Sequence, residues 1–399
     1  MKRIITLLVL ALVAGGLLYG TFIMREEPAE SGAGGATLLP ELDAKINAAS
    51  RISLRTNEAP IIVSRGEEGW QVTSQYDYPA DIAKVRQWLI GLARLEKVEP
   101  KTRKPEYYAK LGLQEPGSET AESVGVKVTA SEGEVLADVI LGERRSVSGR
   151  SGPTEIYARL ADDPQTWLTR GHLPPAGQPN SWLERELLSL ETGAITRLHI
   201  EQADGETVLI KRQGTQGPLI WASLPAAAEA AASPTPQQVA NRFSRLRLDN
   251  VRPAEAIAEA ERDFTVTVKR RDGLVVTLTG YVVEDEDWVT LAAKYDPEQR
   301  QEPAKSAQAG NGDDAPAAAS EAGKTAGQAA ASGNEPKLAS PAAVKAEVET
   351  LNARWAGWAY YLPPYILNDI DLVPADIVKE PQADEVNGGS DGKPAPASQ

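Results

Sequence analysis

The stretch that decides the fold runs from Arg51 to Pro100 and reads RISLRTNEAPIIVSRGEEGWQVTSQYDYPADIAKVRQWLIGLARLEKVEP. Short apolar runs separated by turn residues predict strands around Arg51–Leu54, Ile61–Val63 and Trp70–Val72. A helix is predicted to start at Pro79, with Asp81 favourably placed in its first turn. The apolar positions of this helix recur at helical spacing and predict one buried face: Ile82, Val85, Leu89 and Leu92.

The same order of features recurs downstream, between Arg197 and Pro253. Strands are predicted around Arg197–Ile200 and Val208–Ile210, followed by Trp221, which we align with Trp70. The next helix has a clear start, because Thr235 can cap it, Pro236 takes its first position and Gln238 completes a capping box. A repeated order of this kind indicates an internal duplication.

A second block of the chain repeats without any gap. Four of its positions recur 140 residues later, as Val124, Val126, Val128 and Gly133 against Phe264, Val266, Val268 and Gly273. The alternation of apolar residues on both sides of each glycine predicts a β-hairpin in each copy. The fold class predicted is therefore α+β: an N-terminal transmembrane helix followed by two similar β-rich α+β units.

Composition limits the chemistry that the chain can perform. It has 399 residues, no cysteine and two histidines, His172 and His199. Disulfides and thiol catalysis are therefore excluded, and a histidine-rich metal site is not expected. The net charge of −14 argues against a nucleic-acid partner, since phosphate contacts require clustered Lys and Arg. No catalytic motif, cofactor site or metal site is predicted.

Residues Ile4–Met24 form an uncharged run of 21 residues, long enough to span a hydrocarbon core of about 30 Å as a helix. Lys2 and Arg3 precede the run, so the positive-inside rule places the N-terminus in the cytoplasm. A cleaved signal peptide is the alternative, but its apolar core is usually shorter. We expect a single-pass protein of a bacterial inner membrane with the bulk of the chain in the periplasm.

The chain divides into segments of different composition, and the predicted boundaries follow those changes. Residues 1–25 are the predicted anchor and 26–37 a flexible tether. The two repeat units are predicted at 38–192 and 193–378. Low-complexity composition predicts a disordered insertion at 297–341 in the second unit and a disordered tail at 379–399. Apolar residues at helical spacing from Val344 to Trp355 predict that the folded chain resumes there, after the insertion.

The order of residues resembles the bacterial domain of unknown function 4340 family. The resemblance is carried by the apolar N-terminal run and by these short motifs: Leu38–Pro40, Trp70–Val72, Tyr78–Asp81, Leu111–Leu113, Leu141–Gly142, Trp182–Leu183 and Trp358–Tyr360. It implies a membrane-tethered extracytoplasmic protein, of a kind often encoded beside ABC transporter components linked to gliding motility. The family brings no catalytic residues.

Three functions are consistent with the sequence, and the third of them is a structural scaffold without a transporter. The first is a non-enzymatic accessory protein of an ABC-type transporter complex, with the permease or auxiliary subunits as partners; its oligomeric state is not predicted. The second is an extracytoplasmic enzyme that acts on cell-envelope glycans through paired carboxylates. Asp369 with Asp371 could form such a carboxylate pair, and the acidic run Glu284–Asp287 could bind a cation, but solvated surface charge is the simpler interpretation of both. The eight Trp residues are expected in the core rather than at a sugar site.

Overall fold

The computed structural model describes residues 35–118, 120–146, 153–301 and 338–379. The chain divides into two compact units between Arg185 and Glu186. This division lies seven residues before the predicted boundary at 192/193. The reason is a short strand, Glu186–Leu188, which pairs with Leu246–Arg247 and so belongs to unit 2.

Unit 1 is built on one antiparallel sheet of nine strands. Its strands are β1 Ala49–Arg55, β2 Ile61–Gly66, β3 Gly69–Val72, β4 Tyr78–Pro79, β5 Glu96–Pro100, β6 Val124–Ala130, β7 Val135–Ser146, β8 Thr154–Leu160 and β9 Thr166–Gly171. The order across the sheet is β4-β3-β2-β1-β6-β7-β8-β9-β5. Its α-helices are α1 Pro40–Lys45 and α2 Ile82–Ala93. Alternate strand residues such as Ile52, Leu54 and Val63 are fully buried, which makes one face of the sheet the core.

Unit 2 is built on an antiparallel sheet of eight strands and the two-stranded pair already mentioned, β10 and β14. Its strands are β10 Glu186–Leu188, β11 Ile195–Gln202, β12 Thr207–Arg212, β13 Leu219–Trp221, β14 Leu246–Arg247, β15 Asn250–Pro253, β16 Arg262–Arg270, β17 Leu274–Val283, β18 Glu286–Tyr295 and β19 Trp358–Tyr361. The sheet order is β13-β12-β11-β16-β17-β18-β19-β15. Its α-helices are α3 Pro236–Arg242, α4 Pro341–Trp355 and α5 Pro364–Ile370. The predicted capping box of Thr235 and Gln238 is present at the start of α3.

The two large sheets have the same strand order. Each strand of the eight-stranded sheet in unit 2 occupies the place of the strand numbered ten lower in unit 1, where β4 is an additional edge strand. Local details agree as well, because the register of β1 on β6 shifts after Ala49 and that of β11 on β16 shifts after Ile195. Gly133 and Gly273 take positive φ angles of 84° and 95° in the equivalent hairpin turns, where glycine is favoured. The prediction of an α+β fold is therefore confirmed, because the described chain consists of antiparallel sheets accompanied by helices.

The predicted equivalence of Trp70 and Trp221 is wrong by two residues. Val63 of β2 pairs with Val72, whereas Ile210, the residue of β12 equivalent to Val63, pairs with Trp221. Trp221 therefore takes the place of Val72, and Trp70 lies two positions earlier, half-buried. The alignment followed residue identity, but strand register is set by which side chains face the core.

Two helix predictions also need correction. Helix α2 begins at Ile82 rather than at Pro79, because residues 78 and 79 pair with β3 as strand β4. Ile82 itself is 45% exposed, so the buried face is formed by the later positions of the predicted stripe, together with Trp88. The apolar pairs Trp182-Leu183 and Leu187-Leu188 predict a short helix, but the structure has a 3-10 turn there, Pro179–Trp182, followed by strand β10.

Several predicted segments lie outside the described residues. These are the anchor at Ile4–Met24, most of the tether, residues 302–337 of the insertion and the tail after residue 379. At the edges of the insertion the described chain is regular, with a 3-10 turn at Pro297–Gln299 and the start of α4 at Pro341. None of the helices within the described ranges is long and apolar enough to cross a membrane.

The insertion lies in a single hairpin connection. In unit 1 the chain passes from β8 to β9 through residues 161–165, whereas in unit 2 the equivalent connection, from β18 to β19, runs from residue 296 to residue 357. Helix α4 belongs to this connection and packs on β18, where Asn352 exchanges two hydrogen bonds with the backbone of Ala293, of 2.8 and 2.9 Å. Arg300 donates to the carbonyl of Ala339 at 2.8 Å, so the ends of the described chain on either side of residues 302–337 lie close together.

Because these ends are in contact, residues 302–337 should be replaceable by a short linker. Exchanging the 36 residues for nine Gly and Ser residues halves the loop twice, which changes the closure free energy by only about 1.2 kcal/mol, at about 0.6 kcal/mol per halving. We expect the midpoint of thermal unfolding to stay nearly constant, as measured by circular dichroism. A fall of many degrees would mean that the segment contributes to the core.

Candidate functional site

An acidic cluster in unit 2 is the place where the structure brings together carboxylates that are distant in sequence. It consists of Asp263 on β16, Asp287 on β18, Asp371 and Asp376. Asp371 directly follows helix α5, and its backbone N–H donates to the carbonyl of Leu367 at 2.8 Å. The end of a helix thus fixes the position of this carboxylate.

Gln202, the last residue of β11, connects the acidic cluster to the sheet through hydrogen bonds. Its side-chain amide donates to Asp371 Oδ1 at 2.8 Å and to the carbonyl of Leu372 at 3.1 Å. Gln202 is only 8% exposed, so this contact is made in a place largely closed to solvent. Both N–H groups of the Gln202 amide therefore have acceptors, and the bond to Asp371 fixes the orientation of its carboxyl group.

The environment of the cluster raises the pKa of two of its carboxyl groups, Asp371 and Asp287. Burial raises the pKa of Asp371, and the negative charges of Asp263, Asp287 and Asp376 raise it further, while the hydrogen bond from Gln202 acts in the opposite direction. Burial also raises the pKa of Asp287, with a further contribution from Asp263. Carboxyl groups with raised pKa values are the type that can serve as general acids.

The carboxylates considered from sequence are divided among different partners. Asp369 accepts from Arg242 at 2.6 Å and is held as an ion pair, so it does not form a pair with Asp371. In the acidic run, Glu284 and Asp285 form the β17–β18 turn with positive φ angles, and Glu286 lies 3.5 Å from Arg252. Asp287 is the member of that run that joins the cluster. Sequence reasoning missed Gln202 and Asp263, because only the sheet places them there.

The described residues contain no group of three or more His, Cys, Asp or Glu side chains arranged to hold a metal ion. His199 lies in β11, opposite Leu209 and Thr267 of the neighbouring strands. His172 lines a pocket of about 490 Å³ in unit 1, together with Arg94 and Arg170. The two histidines therefore lie in different units.

Replacing Asp371 by Asn should increase stability at neutral pH and reduce its pH dependence. The pKa of Asp371 in the folded protein lies above its ordinary value of 3.8, so the folded state loses stability as the pH rises through the window between the two. Asn carries no charge and keeps an oxygen that can accept from Gln202. Urea unfolding at about pH 3 and about pH 7, on either side of the ordinary range for carboxyl groups, measures the effect.

The control for this prediction is Asp285→Asn. Asp285 is exposed in the β17–β18 turn at φ 64°, a conformation that Asn also tolerates. We expect this variant to follow the pH dependence of the parent protein. If Asp371→Asn and Asp285→Asn change the pH dependence of stability equally, the effect does not come from the raised pKa of Asp371.

Comparison with known families identifies one relation. A family model described as a domain of unknown function, DUF4340, matches residues 70–263. The chain carries a DUF4340 domain. The resemblance inferred from the short sequence motifs is thereby confirmed. No curated protein and no solved structure matches the chain.

The DUF4340 match begins in β3 of unit 1 and ends in β16 of unit 2. It therefore includes parts of both sheets, with the division between the units inside it. Asp263 is the last matched residue, so Asp287, Asp371 and Asp376 of the acidic cluster lie beyond the match. The family description assigns no activity, and the site must be judged on its own chemistry.

Proposed function

We propose that this DUF4340 protein is a membrane-anchored extracytoplasmic accessory protein, an auxiliary component of an ABC-type transporter complex of the gliding-motility kind. Residues 4–24 hold it in the bacterial inner membrane, and its two units, products of an internal duplication, face the periplasm and contact the transporter. In this role it displays binding surfaces and does not act as an enzyme. The transporter partner follows from the family resemblance.

The observation that carries the anchoring part of the proposal is the way the chain enters unit 1. Residues 35–38 run antiparallel to the start of β5, with Lys97 donating to the carbonyl of Ala36 at 2.9 Å and Leu38 to that of Leu95 at 2.7 Å. The described residues thus begin at residue 35, eleven residues after Met24. Even a fully extended stretch of that length spans only about 40 Å, which would keep unit 1 near the membrane.

The proposal is tested by cutting the chain between anchor and unit 1. A specific protease site is placed within residues 27–34 of the full chain, and transporter subunits are recovered with it from crosslinked membranes. Cleavage should release units 1 and 2 together and lower the recovery by a factor of about 100 or more, as expected when effective concentration is lost. The same protease site within residues 302–337 is the control. Equal recovery after both cuts contradicts the proposal.

The acidic cluster supports a second candidate function, hydrolysis of cell-envelope glycans. The raised pKa of Asp371 suits a general acid, and Asp287 is a second carboxyl group of the same cluster. Purified full-length protein is incubated with envelope glycans, and released sugars are measured. Turnover that Asp371→Asn abolishes and Asp285→Asn leaves intact would replace the accessory role by this one.

A further inference from the structure

A lysine and a serine from distant parts of unit 1 meet at hydrogen-bond distance. Lys84 lies in the first turn of α2, and Ser181 lies in the 3-10 turn Pro179–Trp182. Lys84 Nζ donates to Ser181 Oγ at 2.7 Å and to the carbonyl oxygen of Ser181 at 2.9 Å. A serine hydroxyl beside an amine is the geometry in which a nucleophile can be activated by a base.

Backbone pairing explains why these two residues meet. Asp81 caps α2 by accepting from the N–H of Lys84 at 3.0 Å, and its own N–H donates to the carbonyl of Trp182 at 2.8 Å. Ala80 forms a β-bridge with Leu183 alongside. The start of α2 and the end of the 3-10 turn are therefore joined by main-chain bonds, and the lysine–serine distance does not depend on side-chain flexibility alone.

The Lys84 side chain lies beside the ring of Trp182. Its Nζ is 4.8 Å from the centroid of the Trp182 ring, which is fully buried and packs 5.5 Å from the ring of Trp88. Burial lowers the pKa of Lys84 to about 8, with the charge of Asp81 opposing and that of Arg185 adding to the shift. A large fraction of Lys84 is therefore neutral at mildly alkaline pH, the state in which an amine can accept a proton.

Gly177 packs directly against the pair, and a side chain at this position would clash with Ser181. A Cβ atom at this position would lie 2.7 Å from Ser181 Oγ and 3.8 Å from Lys84 Nζ. Gly177 also lines a pocket of about 320 Å³, together with Trp88, Arg144 and Gln178. The hydroxyl of Ser181 donates to the carbonyl of Gln178 at 2.6 Å in the resting arrangement, and it must turn toward Lys84 to lose its proton.

We propose that Ser181 is a reactive nucleophile, with Lys84 as its base, that takes up an acyl group from an activated ester. Neutral Lys84 accepts the hydroxyl proton as Ser181 Oγ forms a bond to the acyl carbon. The bond from that carbon to the leaving alkoxide breaks, and Lys84 returns the proton to the alkoxide, giving an alcohol and an acylated serine. The step needs no oxidant or metal, and an accessory protein can carry it as a covalent attachment site.

A purely structural role for Lys84 is the competing explanation, because its bonds also hold the 3-10 turn on α2. Both explanations predict some loss of stability when Lys84 is replaced. Only the nucleophile–base pair predicts that the reactivity of Ser181 rises with pH through about 8, the pKa of Lys84. Arginine separates the two further, because Lys84→Arg keeps a charged donor but removes a base that can be neutral at that pH.

The experiment uses the full chain in detergent and a fluorophosphonate, a probe that reacts with activated serine hydroxyls. We expect one adduct on Ser181 by peptide mass spectrometry, with a labelling rate that increases between about pH 6 and about pH 9. Ser181→Ala should lose the adduct. Lys84→Met and Lys84→Arg should each slow labelling by about 100-fold or more, the lower range for a general base.

Ser189→Ala is the matched control, because the Ser189 hydroxyl also donates to a backbone carbonyl, that of Ser244 at 3.1 Å. Its labelling should equal that of the parent protein. Thermal unfolding of every variant shows which are folded, and Lys84→Arg remains informative if Lys84→Met is not. Absence of an adduct on Ser181 in the folded protein, or a rate unaffected by Lys84→Arg, overturns the proposal. Neither result bears on the accessory role, which the tether experiment tests separately.

Discussion

Replacement of Trp182 by Ala is expected to lower the free energy of unfolding of unit 1 by about 3–5 kcal/mol, the usual range for removing a large core side chain. The Trp182 side chain is fully buried, its ring packs on Trp88, and its indole N–H donates to the carbonyl of Ala176 at 2.8 Å. The substitution therefore leaves both a cavity and an unsatisfied carbonyl. Urea unfolding followed by tryptophan fluorescence measures the loss.

Trp70→Ala is the matched control for this prediction. The ring of Trp70 is half-buried, and Arg65 lies 5.9 Å from its centroid at the edge of the sheet. Less area is removed from contact there, so the loss should be clearly smaller. If both variants lost the same free energy of unfolding, the difference in burial between Trp182 and Trp70 would not determine their contributions to stability.

Replacement of Arg270 by Met should cost unit 2 a similar amount, about 3–5 kcal/mol, because it leaves the buried carboxylate of Asp272 without its partner. Arg270 donates from Nη1 to Glu347 at 2.9 Å and from Nε to Asp272 at 2.8 Å. Burial alone would lower the pKa of Arg270, but the hydrogen bonds with Glu347 and Asp272 outweigh it and raise that pKa. The side chain of Asp272 is only 8% exposed, so its charge would remain largely desolvated.

Lys127→Met provides the comparison for Arg270→Met. Lys127 pairs with Asp138 at 3.2 Å, and both side chains are exposed, by 50% and 37%. Exposed pairs contribute up to about 1 kcal/mol, so this variant should unfold at nearly the same urea concentration as the parent protein. If Arg270→Met is as mild as Lys127→Met, the triad of Arg270, Asp272 and Glu347 does not fix α4 on the sheet.

The sequence predicted the strands well where apolar residues alternate. Val124, Val126 and Val128 lie in β6, and the hairpin turn at Gly133 is present. The mistake in aligning the two units came from treating identical residues as equivalent. Aligning Trp70 with Trp221 implies an offset of 151, whereas the strand pairings give 149, because Trp221 occupies the place of Val72. Alternation of apolar residues predicts which residues of a strand are buried. It does not show which residue of the other unit occupies the equivalent position.

The acidic cluster could be predicted only in part. Asp287 and Asp371 were both considered, but in different local groups, since each has acidic neighbours in sequence. Their association depends on β18 and on the end of α5, which bring together residues 84 positions apart in sequence. Local patterns contain no information on such distances. The pair formed by Lys84 and Ser181, 97 residues apart, was missed for the same reason.

The position of the insertion distinguishes two units whose large sheets share one strand order. The β8–β9 connection of unit 1 is a short turn, and its counterpart in unit 2 holds helix α4 and residues 302–337. Growth at a hairpin tip leaves every strand pairing intact, so selection can change this region independently of the sheet. The β18–β19 connection is therefore the natural place to graft a fluorescent reporter or to open new chain termini by circular permutation.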